Sequence, residues 1–448
     1  MSGRRVGGAF TAILMLAAAA RGASTEQVLY SFQGGTDGTY PAGGVVFDQS
    51  GDLYGATSEG GASSCSPQAQ CGTVFELTPG SGGWTETQLY VFKGKAYNDG
   101  DAPSSGLILD QAGNLYGVTA YGGSGNCVLS GTKGGCGTVY ELTPNGSTWT
   151  ETILYSFQGD KDGYFPAGNL VFDAAGNLYG ATNFGGGYGD CNPIYGYCGT
   201  IFKLSPPSGN GGPWTETVLY RFKGGKDGAY PNGGLIFDNQ GNLYGTTEFG
   251  GGSSACTWEE DGCGTVFELK PPTKKGGAWT ESLLHRFKGY PDGHYPNGGL
   301  IFDKKGGLYG TTVSGGEGSS ASGTAFQLKP PRRKGGAWAE TILYTFTGGN
   351  DGGNPMAGLI FDEQGNLYGT DLGGASYGGN VYELSPAAGG GAWTLTVLYN
   401  FTGPPNGYYP AASLIFGQAG SLFGTTQWGG NGQGCQYGGC GTAFEVTP

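Results

Sequence analysis

The sequence predicts an all-β fold, a seven-bladed β-propeller with four antiparallel strands per blade, and three observations lead there. A unit 55 to 65 residues long recurs seven times, its landmark aromatic position falling at Tyr30, Tyr90, Tyr155, Tyr220, His285, Tyr344 and Tyr399. Each unit carries four short runs of alternating apolar residues and no helical periodicity. The chain opens on a lone first run, residues 28–32, and stops after a fourth, residues 441–446, so its ends supply complementary parts of one unit. A fixed period means one supersecondary unit per copy, each burying its apolar face against its neighbours.

In chain order, the first 22 residues read as a secretory signal peptide. Arg4 and Arg5 precede the apolar run 9–20, and small residues follow through Ala23, the basic, apolar and small-residue order of an export leader. Residues 24–448 then form the propeller. In the fourth copy its strands are expected at 217–222 (the L-Y-x-F run), 234–238, 242–247 and 264–269. Between the second and third lies D-x-x-G, as in Asp238 and Gly241, which suits a type I turn and hence a tight hairpin; the seventh copy has Gly417 in place of the Asp. With the N-terminal strand completing the last blade, the ring closes on 28 strands and leaves no open edge.

Ten cysteines fall in the same loop of the unit as Cys65/Cys71, Cys127/Cys136, Cys191/Cys198, Cys256/Cys263 and Cys435/Cys440; copies five and six lack both members together. Joint presence and joint absence is the mark of local disulfides in an oxidising compartment, each adding roughly 2 kcal/mol in the chain-entropy model. The expected location is extracellular or periplasmic. Gly reaches 97 of 448 residues, but aromatics at 13% argue for a packed core over low complexity. The formal charge of −13, more negative once Arg4, Arg5 and Arg21 leave with the leader, opposes nucleic-acid phosphates and anionic membranes. No apolar run suggests membrane insertion, and a monomer is expected.

The strings L-Y-x-F, D-G-x-Y-P, F-D-x-x-G-N-L-Y-G-T-T and C-G-T-V-F-E-L-x-P resemble the GloVer tandem-repeat family of exported proteins, also named for their variable C-terminal anchors. The resemblance covers about residues 28–448. It implies export and no particular activity; the chain stops at Pro448 with no such anchor, so the expectation is a secreted rather than an attached protein.

Function concentrates in long variable loops. With the second strand innermost and the first outermost, the D-G-x-Y-P crossings and the cysteine loops share one face. The residues just after L-Y-G-x-T differ between copies: Glu59, Tyr121, Asn183 and Phe184, Glu248 and Phe249, and Gln427 and Trp428, with Asp371 in the shorter sixth copy. Aromatic faces stack on sugar rings and carboxylates accept from hydroxyls, so Glu59, Tyr121, Asn183, Phe184, Glu248, Phe249, Asp371 and Trp428 form the candidate ligand site at the channel mouth; the alternative is that these aromatics cover their own blades. The D-G pairs read as turns rather than calcium ligands, since no D-x-D-x-D-G run accompanies them. Tyr-Pro pairs and the regular tryptophans read as contacts between blades. Trp258, beside Glu259, Glu260 and Asp261, stands outside the pattern.

No cofactor and no metal are expected: of the two histidines, neither neighbours a cysteine pair, and His285 reads as a packing residue in a tyrosine's place. The leading function is binding of a polysaccharide or an extracellular protein without turnover. The alternatives are a polysaccharide hydrolase or lyase using carboxylates such as Glu248 with Asp371 or Glu59, and a purely structural extracellular module.

Overall fold

The computed structural model describes residues 24–61, 71–129, 132–159, 161–187, 198–209, 212–256, 262–318, 321–333, 335–373, 378–387, 391–435 and 438–448. The leader, Cys65, Cys191 and residues 258–261 lie outside them.

Each blade is one four-stranded antiparallel sheet, built from the last three runs of one copy and the first run of the next. The fourth blade runs, from axis to rim, Ile236–Phe237, Leu243–Thr247, Thr265–Lys270 and Thr280–Arg286. Seven such sheets make the seven-bladed propeller that the repeat predicts. The seventh blade takes its outer strand from the other end of the chain: Thr25–Ser31 pairs antiparallel with Thr442–Thr447, with Thr25 opposite Thr447. The inner strands are shorter than expected, two residues in most blades, because the Gly-Gly segment before them is used to turn at the axis. No helix among the described residues is long and apolar enough to cross a membrane.

The hairpin turn forms as read. The Asp238 carboxylate accepts from the N–H groups of Gln240 and Asn242 (2.8 and 2.9 Å), while Gly241 takes φ +80°. Asn242 Nδ2 and Tyr244 Oη then donate to the other carboxylate oxygen (2.7 and 3.1 Å), which ties the turn to the strand it opens.

The core lies between blades rather than within them. Seven buried clusters each draw on two neighbouring blades. At every seam the Phe of L-Y-x-F, at the end of one outer strand, meets edge-on a ring from the third strand of the next blade: Phe32–Phe75, Phe92–Tyr140, Phe157–Phe202, Phe222–Phe267, Phe287–Phe326, Phe346–Tyr382 and Phe401–Phe444, at 4.9 to 5.2 Å. The outer-strand tryptophans dock likewise: Trp149 on Tyr54, Trp279 on Tyr179 and Trp338 on Tyr244, at 6.1 to 6.5 Å.

Two of the seven seam rings are tyrosines. Tyr140 and Tyr382 are fully buried, and neither hydroxyl has a hydrogen-bond partner. An unmatched buried hydroxyl costs about 1–3 kcal/mol. Tyr140→Phe and Tyr382→Phe, which install the ring found at the other five seams, are therefore expected to stabilise the protein by a measurable part of that range. Denaturant melts read the shift; destabilisation by both would contradict the seam packing.

The disulfides Cys127–Cys136, Cys256–Cys263 and Cys435–Cys440 form. Cys71 and Cys198 are disulfide-bonded as well; the partners read for them, Cys65 and Cys191, fall outside the described residues.

Candidate functional site: the axial cavity and its mouth

The chain passes from the rim of one blade to the axis of the next through D-G-x-Y-P. The carboxylate of the D-G pair accepts from the landmark Tyr hydroxyl and from a backbone N–H: Asp37 from Tyr30 (3.0 Å) and Gln33 N–H (2.7 Å), Asp227 from Tyr220 (2.9 Å) and Lys223 N–H (2.9 Å). These aspartates clasp the outer strand, which supports the turn reading over calcium. The residue before Pro then takes a left-handed backbone in all seven blades, at Tyr40, Ala102, Phe165, Tyr230, Tyr295, Asn354 and Tyr409, with φ between 54° and 67°. A strained non-glycine residue needs an anchor. Here its N–H donates to the carbonyl of Cys440, Cys71, Cys136, Cys198, Cys263, Ser322 or Gly378 of the preceding blade, at 2.6 to 3.1 Å. The crossing and the cysteine loop thus share one face. The disulfide braces the carbonyl that holds the next crossing.

After Pro, the chain reaches the axis. A Cβ on Gly43 would lie 2.1 Å from Gly106 N, and one on Gly298 2.5 Å from the Ala357 carbonyl oxygen; neighbouring blades meet there backbone to backbone. The resulting girdle encloses an axial cavity of about 490 Å³ lined by segments from all seven blades. Its polar lining side chains are neutral: Ser104, Ser105, Asn169, Asn232, Asn297, Ser413, Thr425 and Gln427. No charged side chain lines it among the described residues.

The residues expected at the mouth divide into three groups. Asn183 and Glu248 stand directly behind the lining: Asn183 Nδ2 donates to Asn232 Oδ1 (3.3 Å), and Asn297 Nδ2 donates to Glu248 Oε2 (3.1 Å). The half-buried Glu59, Tyr121 and Trp428 lie on the same loop face. Glu59 pairs with Thr39, Tyr121 meets Phe165 edge-on at 5.2 Å, and Trp428 lies 4.3 Å from Tyr409. The third group is enclosed. Phe184 stacks on Tyr164 at 5.2 Å, and Phe249 lies 5.5 Å from both Tyr230 and Tyr295; both are buried, so their faces are taken by neighbouring rings, as the blade-covering alternative has it.

Asp371 is fully buried, and the register places it elsewhere than the length of its copy suggests. In six blades a Thr pair shares a buried hydroxyl contact across the second and third strands, such as Thr57–Thr73 at 2.8 Å and Thr247–Thr265 at 2.7 Å. Asp371 and Asn380 occupy that pair in the sixth blade. Copy six has lost part of the variable dipeptide, and Asp371 is a ladder residue whose carboxyl burial pushes up to about 8. Asp371 and Glu248 therefore do not face one another across the mouth.

Sequence reasoning passed over Asn232, Asn297 and Ser104 because the P-x-G-G string reads as scaffold. The residue after Pro nevertheless changes from Ala42 to Ser104, Asn232, Asn297, Met356 and Ala411, and that variation was the available signal.

Several solved structures align with the chain at low identity. A fungal alcohol oxidase in complex with copper aligns over 95% of this chain and 77% of its own, at 14% identity and a TM-score of 0.53. A protein from Lactobacillus plantarum aligns over 79% and 84%, at 15% and 0.47, and a protein of unknown function from Dyadobacter fermentans over 83% and 96%, at 12% and 0.44. At 14% identity the first of these shares the fold and nothing more. No curated protein matches the sequence. The family model described as the Gloeobacter/Verrucomicrobia repeat matches residues 16–258, 126–317 and 255–448, so with the repeat accounted for along nearly its whole length, the chain belongs to the Gloeobacter/Verrucomicrobia repeat family.

Proposed function

We propose that the protein is an exported, disulfide-braced propeller that binds the end of a neutral polysaccharide in the axial cavity, without turning it over. The observation that carries this is the lining. About 490 Å³ falls within the ~300–1,000 Å³ usual for small-ligand sites, and its polar groups are amides and hydroxyls, which exchange hydrogen bonds with sugar hydroxyls and supply no countercharge to an ionic ligand. Asn232 and Asn297 sit on adjacent blades with one end of each amide held by Asn183 and Glu248, so their orientation is set before a ligand arrives. That preorganisation lowers the cost of binding. Glycoside hydrolysis ordinarily uses two carboxylates flanking the scissile bond, and the described lining supplies none. The disulfides and the leader-like first residues support export.

Affinity electrophoresis of the mature protein against neutral and uronate-bearing glycans tests the reading, with products assayed in parallel. A neutral glycan is expected to retard the protein, and Asn232→Ala with Asn297→Ala to weaken binding at least tenfold, since each amide contributes hydrogen bonds worth roughly 1 kcal/mol. Binding to uronates alone, unchanged affinity in the double variant, or release of reducing ends would each overturn it.

A further inference from the structure

At five of the seven seams the outer rim carries a carboxyl pair, the Asp of a D-G crossing and a Glu from the outer strand of the next blade; at a sixth, Asn406 stands in the place of the Asp. The members are Asp37 with Glu86, Asp99 with Glu151, Asp162 with Glu216, Asp227 with Glu281, Asp292 with Glu340, and Asn406 with Glu26; at the remaining seam the repeat has Leu395 in the place of the Glu. One oxygen of each of these glutamates, Oε1, is buried and unpartnered. The third group at each seam is the landmark Tyr hydroxyl, except between blades four and five, where it is His285. An imidazole nitrogen is a metal ligand, and the phenol it replaces is a poor one.

His285 Nε2 lies 3.3 Å from Asp292 Oδ2 and 3.6 Å from Glu340 Oε2, and one donor atom from each residue falls within 4.8 Å of the others. Bonds of ~2.0–2.1 Å at tetrahedral angles put ligand atoms about 3.3–3.4 Å apart, so the cluster is close to the right size before any ion enters. The three side chains are 12 to 14% exposed, enough for one solvent ligand and little more. Asp292 is fixed by the Lys288 N–H (2.8 Å), and His285 by the ladder opposite Val266. Lys288 adds a positive charge nearby, but its side chain is exposed. One nitrogen and two carboxylate oxygens suit zinc-type ions; calcium and magnesium prefer oxygen alone.

We infer that His285, Asp292 and Glu340 form a binding site for one zinc-type divalent ion, with a fourth position open to water, that ties the outer strand of blade four to that of blade five. The site is remote from the axial cavity and independent of what that cavity binds. It revises the expectation that the chain holds no metal.

The test titrates the mature protein, freed of metal by chelation, with Co²⁺ and then Zn²⁺. One equivalent of Co²⁺ is expected to develop the visible absorption of a four-coordinate site and to be displaced by Zn²⁺, with a rise in melting temperature on adding Zn²⁺. Both signals should vanish in His285→Tyr and in Glu340→Leu, which install residues the repeat itself uses at these positions. Both should persist in His294→Ala, which alters the other histidine to the residue found at Ala229. Absence of a stoichiometric Co²⁺ signal, equal binding by either of the first two variants, or loss of binding in the third would overturn the assignment.

Discussion

Deleting residues 24–32 is expected to abolish cooperative unfolding of the propeller. The deletion removes the outer strand of blade seven and with it six paired positions, from Thr25 opposite Thr447 to Ser31 opposite Thr442. It also removes Leu29 and Phe32 from the seam between blades seven and one, where Phe32 is fully buried against Phe75. Truncating one buried Phe to Ala alone costs about 3–5 kcal/mol. Adding the strand and Leu29 brings the loss to the size of the ~5–15 kcal/mol that usually separates folded from unfolded chains. The unpaired strand Thr442–Thr447 would then be an open edge inviting association. Two further measurements distinguish ring opening from general damage. A synthetic peptide of residues 24–33 should restore the melting transition by occupying the vacant edge. A circular permutant that joins residue 448 to 24 by a short linker, with new ends in a loop between two other blades, should melt near the intact protein, because Thr25 and Thr447 are already neighbours. A truncated protein with the intact midpoint would show that the ring does not depend on this closure.

The repeat made the fold legible because each of its signals has a local cause. D-x-x-G is a turn whatever surrounds it, and four alternating runs per copy can only bury one face each by stacking on the next copy. The incomplete units at the two ends then leave one way to remove the open edges. The site was less legible, because it depends on which copy of a position faces the axis. Phe184 and Phe249 occupy loop positions that vary, yet their rings are consumed by Tyr164, Tyr230 and Tyr295. Asp371 reads as a loop residue by count, but the ladder fixes register by pairing, and the deletion in its copy fell on the loop instead. Asn232 and Asn297 hide within a string whose neighbours are structural. The seven-residue spacing that joins Tyr30 to Asp37 and Tyr220 to Asp227 also joins His285 to Asp292, but nothing in the spacing brings Glu340 to them; the seam between blades does.

Stability is expected to fall as pH rises from about 5 to 8, the reverse of acid denaturation, and the seam carboxyls are the cause. Burial, followed by repulsion from the paired aspartate, pushes the Glu86 and Glu216 carboxyls from 4.5 up to about 7; Glu281 rises to about 7 and Glu151 to about 8 for the same reasons. Arg221 beside Glu216, Lys93 beside Glu151, and Arg286 and Lys223 beside Glu281 pull the other way without prevailing. Burial likewise raises Asp99, Asp162 and Asp227. Between the unfolded value of 4.5 and the folded values of about 7 to 8, the native state holds protons that the unfolded chain has released. Its advantage is therefore complete below 4.5 and lost as pH climbs through the folded values. The glutamates are partly exposed, so solvent screening limits each seam to on the order of 1 kcal/mol. One seam lacks the second carboxylate: there the Asn406 amide donates to Glu26 Oε2 (3.2 Å), so burial raises the Glu26 carboxyl with no repulsion from a paired aspartate. Melts from pH 5.5 to 8.5 should show the decline. Glu151→Gln should be near neutral at pH 5.5 and stabilising at pH 8.5, whereas Asn406→Asp, which creates a further carboxyl pair, should steepen the slope. Stability that is flat or increasing across this range would mean that the seams are ionised and solvated, and that burial does not govern their protons.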